Sequence, residues 1–101
     1  MGEERIKIQI DRDLEDLIPG YLQNRREDVR TIQEALQKGE FEIIRVLGHR
    51  MKGSGGGYGL EEISAIGQKL EASAKNGDSG TISSQMARLA EYLDLLEVEF
   101  V

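Results

Sequence analysis

Leu47-Gly48-His49-Arg50-Met51-Lys52-Gly53, running into Ser54-Gly55-Gly56-Gly57-Tyr58-Gly59, decides how this chain is read. The stretch holds the one histidine of the 101 residues and the densest glycine cluster, with a lysine three positions after the histidine. Phe41, Ile44, Leu47 and Met51 step by three or four, which predicts one buried stripe on a helix that starts near Glu40. At about 100° per residue, His49 falls about 140° from the middle of that stripe and points outward. Lys52 comes one turn later, between His49 and the core. Gly53 stands directly above His49 at the four-residue spacing, and Gly56, one further turn along, also leaves that face bare. Glycine inside a helix costs roughly 0.5–1 kcal/mol against alanine. Glycines gathered beside an outward histidine therefore suggest a face kept open to an approaching group.

Outward from this stretch, the chain reads as helical scaffold. Leu14, Leu17, Ile18, Tyr21, Leu22, Val29, Ile32 and Leu36 mostly keep the spacing of one helix face. Pro19-Gly20 interrupts them. Because proline is best tolerated in a first turn, a short helix to Ile18 and a long one from Pro19 to Lys38 are expected, closed by Gly39. The glycines end the second helix around Gly57 to Gly59. A third helix is expected from Leu60 to about Lys75, burying Leu60, Ile63, Ile66, Gly67, Leu70 and Ala74. Asn76-Gly77-Asp78-Ser79-Gly80 reads as a loop. A fourth helix, from about Thr81, carries Ile82, Met86, Leu89, Leu93, Leu96 and Phe100 in alternating steps of four and three. Four helical stretches with short connections predict an all-α fold, an antiparallel four-helix bundle.

Arg5 to Ile10 alternates polar and apolar residues at the period of an extended strand. With no partner strand foreseen, it is expected to lie as an extended arm against the domain, Ile6, Ile8 and Ile10 inward and Asp11 or Asp13 capping the following helix. One domain is thus expected over residues 1–101: an arm at 1–12, a bundle at 13–101.

Composition narrows the function. Apolar residues at 39% and charged residues at 32% describe a folding chain, and 101 residues allow one core. Without cysteine there is no disulfide or thiolate cluster, and one histidine cannot assemble a multi-histidine zinc site. A net charge of −6 with dispersed acidic residues repels nucleic acid and anionic membrane. No apolar run resembles a signal peptide or membrane span, so a cytoplasmic monomer is expected. The glycine cluster does not fit a nucleotide loop. No strand precedes it, no Gly-Lys-Ser/Thr follows a spaced glycine pair, and the dinucleotide spacing is missing.

An exposed imidazole, with a reference pKa of about 6.5, keeps one ring nitrogen unprotonated near neutral pH and can attack a phosphoryl group. A lysine ammonium one turn away can stabilise phosphoryl oxygens, and a bare glycine lets a partner's phosphorylated group reach the ring. No second group stands ready to activate water, so carrying a phosphoryl group fits better than hydrolysis.

His49-Arg50-Met51-Lys52-Gly53, with Gly59 six residues after Gly53, Ile63 four beyond, and then Gln68-Lys69-Leu70-Glu71, resembles the histidine-containing phosphotransfer (HPt) domain over about residues 11 to 98. The resemblance implies that His49 is phosphorylated, Lys52 stabilises the phosphoryl group and Gly53 provides clearance. It also implies that Glu71, on the third helix, orients the imidazole. Read from the residues alone, Glu71 has a rival partner in Lys75, four residues on. Arg45, Arg50, Gly53 and Gly56 are candidates for a receiver-docking face, with an ordinary surface arginine the rival reading at Arg45. Met51 stands where the family has leucine, a volume-conserving change. The run Gly55 to Gly57 is richer in glycine than the pattern asks.

The function implied is a stand-alone phosphorelay intermediate of a two-component system, a carrier rather than a turnover enzyme. Its partners would be response-regulator receiver domains and a histidine kinase. No cofactor is expected on this chain, magnesium belonging to the receiver. Two alternatives stand beside it: an HPt-like interaction module that is never phosphorylated, and a plain structural or oligomeric bundle.

Overall fold

The computed structural model describes residues 4–101. Met1 to Glu3 of the expected arm lie outside the described residues. Four helices form the body: α1 (Ile18–Lys38), α2 (Phe41–Ser54), α3 (Glu61–Lys75) and α4 (Ser79–Leu95). α1 packs on α2 and α4, and α3 packs on α2 and α4, the neighbour relations of a four-helix bundle. Ile32, Ile44, Met51, Leu60, Ile63, Ile66, Leu70, Ile82 and Leu89 are wholly buried between them. Among the described residues no helix is long and apolar enough to cross a membrane.

The helix ends follow local chemistry. Pro19 sits in the first turn of α1, where its missing N–H is no loss. Gly39 closes that helix in the left-handed region at φ 70°, its N–H reaching the Ala35 and Leu36 carbonyls. Asp78 caps α4 by accepting from the Thr81 N–H at 3.1 Å. α4 therefore starts at Ser79, inside the expected loop. The expected short leading helix is only a 3-10 turn at Arg12–Leu14, with Asp11 accepting from the Asp13 N–H, and Ile18 belongs to the long helix. Leu17, assigned above to the apolar face, is the N-cap residue of α1 and is 53% exposed.

The larger correction is at the ends of the chain. α4 stops at Leu95, and Leu96–Phe100 forms a strand, β2, which pairs in parallel with β1 (Ile6–Ile10). The register sets Ile6 opposite Leu96, Ile8 opposite Val98 and Ile10 opposite Phe100. Leu96-Glu97-Val98-Glu99-Phe100 alternates apolar and acidic residues, so its apolar side chains all turn toward the bundle while Glu97 and Glu99 face outward. The arm thus does have a strand partner, and Leu96 and Phe100 pack from a sheet rather than a helix. Gln9 donates to the Glu99 carboxylate at 3.0 Å on the outer face. The clasp is sealed by Val101 N–H to Ile10 O and Arg12 N–H to Val101 O, each 2.9 Å.

α2 also ends earlier than expected, at Ser54. A 3-10 turn over Gly56–Tyr58 follows, and Gly59, at φ 79°, turns the chain into α3.

Candidate functional site

His49 and Lys52 project from the same side of α2, three residues apart, and Glu71 meets them from α3. One carboxylate serves both: Glu71 Oε2 lies 2.9 Å from His49 Nδ1 and Oε1 lies 2.7 Å from Lys52 Nζ. Burial is graded across the three side chains. Glu71 is 10% exposed, Lys52 43% and His49 64%, so a well-sheltered acid holds two groups that reach solvent.

This geometry fixes the proton. The hydrogen bond from Lys52 holds the Glu71 carboxyl below the usual carboxylate range, against the opposing effect of its burial, with the His49 hydrogen bond adding to the lowering. An ionised carboxylate only accepts, so His49 Nδ1 must donate, and in the neutral ring Nε2 then carries the free lone pair. The site presents an oriented nitrogen nucleophile beside a cation.

The Hpt domain family model matches residues 16–99. The chain belongs to the Hpt domain family. No curated protein and no solved structure gives a match of its own. The matched span takes in all four helices and most of β2, while β1 precedes it. Hpt domains act in histidine phosphotransfer within phosphorelays, as phosphoryl shuttles, and interact with receiver domains and kinases.

Within this Hpt fold the remaining candidates separate. A side chain at Gly53 would meet nothing within 4 Å, so the space above His49 is open. Gly56 lies elsewhere: with α2 ended at Ser54, it sits in the 3-10 turn, where a Cβ would stand 3.0 Å from the Glu61 carboxylate. Arg45 is engaged by its neighbour, Nε donating to Glu42 Oε1 at 2.8 Å, so its charge is largely matched. Arg50 is exposed and lies close enough to α1 for its charge to act on Asp28. Burial nevertheless pushes the Asp28 carboxyl above its ordinary range, and its direct partner is Arg25 at 2.8 Å.

Several supporting residues were missed from the sequence. Tyr21 on α1 donates to or accepts from Ser54 Oγ at 2.7 Å and stacks on Tyr58 with ring centroids 4.2 Å apart, tying α1 to the end of α2 and the glycine turn. Arg25 lies 4.5 Å over the Tyr21 ring. Ser64 Oγ donates to the Lys52 carbonyl at 3.1 Å and accepts from the Gly56 N–H at 2.8 Å. Gly55 is buried against α3, where a Cβ would stand 2.6 Å from the Ser64 nitrogen. This glycine serves close packing rather than exposure of the imidazole. Gly48, passed over in the apolar stripe, is buried while Phe41 and Leu47 are only half-buried. The signal available was a glycine immediately before His49, seven residues before Gly55 on the same helix face.

Proposed function

We propose that this chain is a phosphorelay intermediate that takes a phosphoryl group onto His49 Nε2 from a receiver aspartyl phosphate or a histidine kinase and passes it to another receiver aspartate. The observation that supports it is the single carboxylate shared by His49 and Lys52. Glu71 keeps the proton on Nδ1, so the Nε2 lone pair is the group that attacks phosphorus. With an aspartyl phosphate donor the N–P bond forms as the P–O bond breaks, and that electron pair leaves on the donor's carboxylate. The phosphorylated ring still carries its Nδ1 proton and becomes cationic, and the facing Glu71 carboxylate balances that charge. Retaining the proton leaves the ring a good leaving group, and the reverse steps deliver the phosphoryl group to the next aspartate. Lys52 has three N–H donors and spends one on Glu71, leaving others for the phosphoryl oxygens.

The docking face in this proposal is the solvent side of α2 around His49, with Gly53 as clearance and Arg50 at the α1 side. Magnesium and the acidic pocket would belong to the receiver, and this chain's part is to present and stabilise the ring. The test is a transfer assay with a phosphorylated receiver domain. Acid-labile label on the wild type and none on His49→Gln is the expected result. Equal labelling of both, or receiver binding with no label on either, refutes the proposal, the second outcome favouring an unphosphorylated interaction module.

A further inference from the structure

Two glycines face each other where α2 crosses α3. A Cβ placed on Gly67 would stand 2.5 Å from the backbone nitrogen of Lys52 and 2.6 Å from the Gly48 carbonyl oxygen. A Cβ on Gly48 would stand 2.6 Å from the backbone nitrogen of Glu71 and 2.8 Å from the Gly67 carbonyl oxygen. The obstructing atoms are mainly backbone, so rotating a side chain cannot relieve them. Ordinary carbon contacts begin near 3.5 Å, so even one methyl group at either position drives the helices apart by roughly 1 Å. The peptide units struck are those of Lys52 and Glu71, the two residues whose side chains meet across the same gap.

We propose that Gly48 and Gly67 are positioning residues for phosphotransfer: their missing side chains set the α2–α3 separation at which one Glu71 carboxylate reaches both His49 and Lys52. At 2.9 Å the His49–Glu71 hydrogen bond has little slack, and a further separation of roughly 1 Å carries it past the range of a hydrogen bond. The ring would then lose the contact that keeps its proton on Nδ1. Gly53 and Gly57 differ from this pair, since a Cβ on either meets nothing within 4 Å.

The transfer part of this inference rests on His49 being the phosphoryl acceptor; the structural part does not, and the experiment separates them. Nitrogen-15 NMR of the His49 ring in the unphosphorylated full chain reports which nitrogen carries the proton and needs no donor. Wild type and Gly57→Ala are expected to show the Nδ1–H tautomer, and Gly48→Ala and Gly67→Ala to lose it, as Glu71→Ala does. In the transfer assay the maximal rate should fall about 10–100-fold in each glycine variant, with the receiver concentration for half-maximal rate unchanged. In a Glu71→Ala background, adding Gly67→Ala should slow transfer no further, because the contact it disturbs is already gone. A retained Nδ1–H tautomer in both folded glycine variants overturns the proposal. So does an additive loss in the double variant. Failure of both variants to fold also overturns it, since the glycines would then serve the core and not the spacing of the site. If no chain accepts label but the tautomers change as stated, the phosphorelay reading fails and the positioning role stands.

Discussion

Ile10→Ala measures how firmly the N-terminal strand belongs to the domain. Ile10 is 2% exposed, the best buried residue of β1, and its Cγ1 lies 3.6 Å from where a Cβ on Gly59 would sit, so it plugs the sheet onto the turn that leads into α3. The substitution removes three carbons. At about 0.8 kcal/mol per buried methylene the transfer loss is about 2.4 kcal/mol, and a partly collapsed cavity brings the total to about 3 kcal/mol. Ile6 and Ile8 on the same face are only half-buried, so their alanine variants should cost about 1 kcal/mol each. Urea unfolding followed by circular dichroism would show the gradient in midpoints with an unchanged slope, and for a chain of 101 residues the melting temperature of Ile10→Ala should fall by about 15 °C. Equal small effects, below about 0.5 kcal/mol at all three positions, would refute the packing argument, because a strand detached in solution has nothing to lose.

Tyr92 is 4% exposed, burial pushes its phenol up to about 12, and its hydroxyl has no hydrogen-bond partner among the described residues. Tyr92→Phe should therefore leave stability unchanged or raise it by up to about 1 kcal/mol in urea, whereas a loss above about 1 kcal/mol would show a bridging water at the hydroxyl. Acid should act through Glu71 with a definite sign. Its folded-state value is lowered, so its stabilising contacts with Lys52 and His49 are fully present above the ordinary carboxylate value of 4.5 and fade as pH falls through the lowered one. The stability advantage of wild type over Glu71→Gln should shrink as pH falls below 4.5; an advantage that keeps growing below 4.5 would contradict the ion-pair geometry.

The bundle was legible because three- and four-residue spacing persists through four segments, with Pro19, Gly39 and Gly59 punctuating them at positions whose backbone needs those residues. The helix on which Glu71 lies could likewise be read, but not the atom each of its oxygens would meet, since that depends on how closely α3 approaches α2. The closeness comes from Gly48 and Gly67; Gly67 falls on the buried stripe expected for α3, whereas Gly48 adds no apolar side chain to the stripe of α2, and which two backbones meet is not a local property of either helix. At the C-terminus two periods overlap. Leu89, Leu93, Leu96 and Phe100 continue a helical stripe, while Leu96, Val98 and Phe100 alternate as a strand. The choice between them is made by β1, whose register partners lie 90 positions away in sequence, as with Ile6 and Leu96. Local pattern carries no information at that range.

The parallel pairing of β1 with β2 also governs how the fold meets mechanical load. Force applied between the N-terminal side of β1 and the C-terminal side of β2 draws the two strands in opposite directions along their shared axis. The evenly spaced ladder bonds between Ile6–Ile10 and Leu96–Phe100 are then loaded together, in shear, instead of parting one after another as in a peeled hairpin. The bundle between the strands is shielded until that ladder ruptures. A helical fold whose helices would otherwise be drawn out from their ends is thus closed by a small β latch that bears tension first.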